Sequence, residues 1–113
     1  MRIQRGVLVA AAVVALVGLP LFGGLALADN KHVSEAIAQA KEAVEHGKQG
    51  HADAVAKYAE GALKHAEAAG MKNPHLDEGI KELKAAVEHG RAGHADVATK
   101  HAEGAVTHLS EVK

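Results

Sequence analysis

The chain has 113 residues, with 13 basic and 14 acidic side chains, nine histidines, no cysteine, no tryptophan, one tyrosine and one phenylalanine. The missing cysteine excludes a disulfide scaffold, thiolate metal sites, thioether haem attachment and a lipid-bearing cysteine. A formal net charge of −1, no basic tract and almost no aromatics leave nucleic acid neither an electrostatic footprint nor a stacking platform.

The chain opens on Arg2 and Arg5, followed by an uncharged apolar stretch from Val7 to Leu19. Ala26-Leu27-Ala28 then supplies the small-x-small pattern of a signal-peptidase site. These features predict a bacterial secretory signal peptide over residues 1–28, cleaved after Ala28, and a periplasmic mature protein. An uncleaved anchor is the competing reading, since the apolar region approaches membrane-spanning length. Gly18, Pro20, Gly23 and Gly24 interrupt it and favour cleavage. The expected mature domain, 29–113, carries 11 basic and 14 acidic residues and all nine histidines. It is long enough for one small domain with a thin core. Once cleaved it should have no stable membrane association.

The mature region is a tandem repeat. Repeat one, 30–70, aligns without gaps on repeat two, 73–113, at an offset of 43, with 20 of 41 positions identical. Alanine, glutamate and lysine dominate and favour helix. Asn30 and Asn73 are predicted N-caps, with Pro74 at the first helical position. Gly47 and Gly90 are placed as helix-ending glycines, and Gly50 and Gly93 as caps of the next helix, with Asp53 and Asp96 in its first turn. The turns are thus expected at 47–50 and 90–93, and the linker at 70–74. Val33, Ile37, Ala40 and Val44 keep the helical period, as do Ala52, Ala56, Ala59 and Leu63. Leu76, Ile80, Leu83 and Val87, then Ala95, Ala102, Val106 and Leu109, do so in repeat two. The predicted fold is all-α: an up-down four-helix bundle built from two tandem helical hairpins. Gly61, Gly79 and Gly104 should weaken its helices.

The histidines follow the heptad. His32 and His46 are fourteen apart with Gln39 between; His51 and His65 with Tyr58 between; His75 and His89 with Glu82 between; His94, His101 and His108 are seven apart. Seven residues shift the helical angle by only about 20°, so each helix carries one stripe, roughly 80–120° from the apolar centre. In an antiparallel hairpin the stripes fall into register. His46 lies level with His51, His32 with His65 and Gln39 with Tyr58. In the second repeat His89 lies level with His94, His75 with His108 and Glu82 with His101. Two facing imidazoles, with or without a carboxylate, suit a divalent transition metal. Glu35, Glu78 and Glu111, three residues beyond His32, His75 and His108, and Glu42, Glu45 and Glu88 near the turns, are neighbouring carboxylates. Among the glutamates, Glu82 alone is expected as a ligand, because it stands on the stripe itself. Tyr58 is read as a packing residue and Met71 as a loop residue.

A solvated polar flank copied by duplication would explain the likeness of the repeats. It would not explain the mirrored placement within one repeat, or histidine in place of lysine or glutamate. No enzyme is expected. There is no His-Glu-x-x-His, no Glu-x-x-His pair, and neither Ser34 nor Ser110 sits in a nucleophile motif.

An exported cysteine-free chain with heptad-spaced histidines and repeated His-Ala-(Asp/Glu) units resembles the small metal-binding protein family, over essentially the whole mature chain. The resemblance implies a periplasmic four-helix bundle that binds several copper ions and, less selectively, other divalent metals. It carries a metal-binding role to His32, His46, His51, His65, His75, His89, His94, His101 and His108. The expected function is binding and buffering of divalent transition metals, copper(II) first, with nickel(II), zinc(II) or cobalt(II) as alternatives. The alternative function is a pH-responsive helical interaction or chaperone-like module; a metallochaperone with one privileged site is a third reading. Metal ions are the expected partners of a monomer, with metal-bridged oligomers as the alternative state.

Overall fold

The computed structural model describes residues 31–113; the leader expected over 1–28 and the N-cap expected at Asn30 lie outside the described residues. Four helices follow one another: α1 (Lys31–Lys48), α2 (Ala52–Ala68), α3 (Pro74–Arg91) and α4 (Ala95–Ser110). Among the described residues the expected all-α four-helix bundle is what forms. The α3 start follows the sequence closely. Asn73 accepts from the backbone N–H of His75 at 2.8 Å and of Leu76 at 3.2 Å, and Pro74 occupies the first turn, where no N–H is needed.

The helices close into a ring of antiparallel neighbours. Facing side chains join α1 to α2 and α3 to α4. Gly90 of α3 lies against Ala52 and Ala56 of α2, and Gly47 of α1 against Thr99 of α4. Thr99 and Ala56 are 43 positions apart, as are Gly47 and Gly90, so one contact recurs through the pseudo-symmetry of the repeats. Among the described residues no helix is long and apolar enough to cross a membrane.

The core runs along Ala36, Ala40 and Ala43 of α1, Val55, Ala59, Ala62 and Ala66 of α2, Leu76, Leu83 and Ala86 of α3, and Ala98, Ala102, Ala105 and Leu109 of α4. This face is rotated slightly from the expected one. Ile37, Leu63, Ile80 and Val106 flank the core rather than centre it, and Ala52 and Ala95 are half-buried. On alanine-rich helices adjacent stripes differ little in hydrophobicity, so packing selects the stripe that allows the closest approach.

The turns correct one expectation. Gly47 and Gly90 do not end their helices. Both are buried inside the last turn, where an added Cβ would meet Thr99 Oγ1 and Val55 Cγ2 at position 47, or Ala52 O and Ala56 N at 2.9 Å at position 90. Gly50 and Gly93 carry the positive φ, +82° and +84°. Each serves as the residue after the C-cap rather than as the cap of the next helix. The N–H of Gly50 donates to Gly47 O at 2.9 Å and that of His51 to His46 O at 3.1 Å. The N–H of Gly93 donates to Gly90 O at 3.0 Å and that of His94 to His89 O at 2.9 Å. This nested pair of bonds is the Schellman motif, which needs the left-handed residue after the helix, not within it. The N-caps of α2 and α4 are therefore His51 and His94, whose side chains make no capping hydrogen bond.

Candidate metal centre

The Schellman turn places the first histidine pair. It brings the side chain of the residue after the left-handed glycine against one in the last helical turn. Here those residues are His51 and His46, whose ring centroids lie 6.3 Å apart, and His94 and His89, at 6.0 Å. An apolar contact is usual at this spot, so the backbone motif here pairs two imidazoles instead.

One level along each hairpin, the side chain at the heptad position of the second helix stacks on the turn histidine. Tyr58 lies parallel to His46 at 5.0 Å, and His101 parallel to His89 at 5.3 Å. His101 Nδ1 is 2.8 Å from Glu82 Oε1, so the expected level partners meet. The mid-helix glycines explain how. A Cβ at Gly104 would stand 3.0 Å from Glu82 Cδ, and one at Gly61 3.0 Å from Gln39 Oε1. The glycines give the polar side chain of the facing helix room to lie across the backbone.

The open ends of the hairpins hold the third level. His32 and His65 stack at 5.7 Å, and His75 and His108 at 6.0 Å. Glu35 Oε1 stands 3.1 Å from His65 Nδ1 and 3.8 Å from His32 Nδ1. Glu111 Oε1 stands 3.1 Å from His75 Nδ1. Donor atoms of His32, Glu35 and His65 lie within 4.8 Å of one another, as do those of His75, His108 and Glu111. The carboxylate comes from the first helix in one hairpin and from just beyond the second in the other. Glu78, the repeat counterpart of Glu35, instead meets Lys81 at 3.8 Å, and the counterpart of Glu111 is Ala68.

The structure thus brings every histidine beside another of its own hairpin, with His89 beside both His94 and His101. Glu35 and Glu111 join the clusters although the sequence reading ranked only Glu82 among the ligands. Their signal was the i,i+3 spacing from His32 and His108, which Glu78 shares without joining. Glu42 lies 3.9 Å from His46 Nε2. Tyr58 packs on the core as well as on His46. A shallow groove between α1 and α4, lined by Lys41, Val44, Glu45, Glu103, Val106 and Thr107, contains no imidazole.

Imidazole nitrogen with carboxylate oxygen is a borderline donor set that fits divalent transition metals such as copper(II), nickel(II) and zinc(II). His46 Nδ1 and His108 Nδ1 are buried and meet no hydrogen-bonding group among the described residues. A buried ring nitrogen without a partner is costly, and a metal ion is one partner its lone pair can take. Residues 7–112 match the model of a family described as small metal-binding protein. A comparison with individual curated proteins gave no match.

Proposed function

This chain belongs to the small metal-binding protein family, and on that premise we propose that it is a periplasmic buffer of divalent transition metals, copper(II) first, which holds ions between the paired imidazoles of each hairpin. The observation that carries this reading is the pairing itself: imidazole meets imidazole at the turn and at the open end of both hairpins. Copper(II) leads because nitrogen and oxygen sites of this kind follow an affinity order that peaks there. Storage or detoxification suits the arrangement better than catalysis, because comparable donor sets recur along two sides of the bundle. Facing carboxylates fix the ring tautomer and raise the basicity of the opposite nitrogen.

Calorimetric titration and native mass spectrometry at neutral pH, with copper(II), nickel(II) and zinc(II) in turn, test this. More than one ion should bind per chain, copper most tightly. No binding of any of the three would refute the proposal. It would leave the same His–Glu contacts as a pH-responsive device, to be sought by capture of a protein partner.

A further inference from the structure

We infer that the two turns have diverged: in the second hairpin His101, oriented by Glu82, stands with His94 beside His89 and gives that turn a third imidazole, so that it binds metal ahead of the turn of the first hairpin. The first hairpin offers only His46 and His51 at the equivalent place. The inference rests on the metal-binding reading and ranks the sites within it.

His89 is in ring contact with both other histidines, at 6.0 Å from His94 and 5.3 Å from His101. In the first hairpin Tyr58 makes the same parallel stack on His46. The geometry is conserved through the duplication and the chemistry is not. A phenol oxygen offers a divalent transition metal a weaker donor than an imidazole lone pair.

Glu82 decides which nitrogen of His101 is available. An ionised carboxylate only accepts hydrogen bonds, so at 2.8 Å from Glu82 Oε1 the Nδ1 of His101 must carry the proton. The lone pair is then on Nε2, free for a metal. This is the carboxylate–histidine arrangement found behind metal-binding imidazoles. Glu82 is therefore a positioning residue rather than a ligand, which revises the role expected from its place on the stripe. Both partners are about two-thirds shielded from water, with 29% and 34% side-chain exposure, so the contact is not one between freely solvated groups. Gly104 supports it, because a Cβ there would stand 3.2 and 3.3 Å from the two carboxylate oxygens. Glycine is a poor helix former, and the fold keeps one mid-helix where it makes room for this side chain. The first hairpin keeps the glycine but presents the amide of Gln39 to it.

The test is a zinc(II) titration of the protein, followed by NMR of the histidine rings, with two exchanges that each copy the other repeat. Below one equivalent, the rings of His89, His94 and His101 should shift before those of His46 and His51. His101→Tyr should abolish that order, and Tyr58→His should create a second early site. Without metal, His101 should be the Nδ1–H tautomer by nitrogen chemical shift. Glu82→Gln should reduce that preference and weaken binding at this turn about 10–100-fold. Simultaneous filling of the two turns, a silent His101 ring, or an Nε2–H tautomer at His101 would each overturn the inference while leaving the buffer in place. A protein that binds no zinc, copper or nickel overturns both.

Discussion

Gly90→Ala separates close packing from helix propensity as the reason for a glycine inside α3. Propensity alone predicts stabilisation by about 1 kcal/mol, since alanine is the better helix former. The packing predicts the reverse. The new Cβ would stand 2.9 Å from Ala52 O and Ala56 N and 3.0 Å from Ala56 Cβ, against an ordinary contact of 3.4 Å or more. Two of these atoms are backbone, so relief requires α3 to retreat from α2 by roughly half an ångström along a well-packed seam. Overpacking of this kind costs about 1–3 kcal/mol, and in so small a core we place Gly90→Ala near the upper end. After the propensity gain, a net loss of about 1–2 kcal/mol remains, which lowers the Tm by about 4–15 °C in a domain of this size. Thermal denaturation by circular dichroism without metal is the assay. Gly93 is the control, because its φ is +84° and nothing lies within 4 Å of an added Cβ. Gly93→Asn should cost a few tenths of a kcal/mol, since asparagine tolerates the left-handed region, while Gly90→Asn should cost at least as much as Gly90→Ala. A Gly90→Ala protein as stable as the parent would refute the packing argument.

Metal and pH should act together on stability: copper or zinc at 100 times Kd adds about 2.7 kcal/mol per site. Protons compete for the same nitrogens, so this gain should be smaller in acid; thermal scans with and without metal at pH 7.5 and 5 measure it. Glu35→Gln should weaken the open end of the first hairpin and Glu111→Gln that of the second, each about tenfold or more. Glu78→Gln should leave both unchanged, although it is the sequence counterpart of Glu35, and calorimetry would show the contrast. His51→Asn and His94→Asn should each stabilise the metal-free protein by up to about 1 kcal/mol, because asparagine is a far better N-cap than an imidazole that makes no capping bond. His51→Asn should also remove the first turn site and His94→Asn weaken the second, so a His51→Asn variant that gains stability and keeps its metal count would contradict the assignment.

The sequence by itself determined the helices, their antiparallel order and the level of every histidine. Those properties depend on local propensity and on the fixed rise and twist of a helix, and the 43-residue offset repeats them. His46 opposite His51 and His32 opposite His65 were therefore legible before any coordinates. The tertiary structure decided what depends on how closely helices approach. It moved the left-handed turn residue from Gly47 and Gly90 to Gly50 and Gly93, because positions 47 and 90 are buried against a neighbouring helix. It also decided which carboxylates join the imidazoles. Glu35 and Glu78 occupy the same place in the two repeats, yet only Glu35 reaches a histidine across its hairpin. Spacing fixes the angle at which a side chain leaves its helix. Where that side chain ends depends on its rotamer and on the partners the facing helix offers.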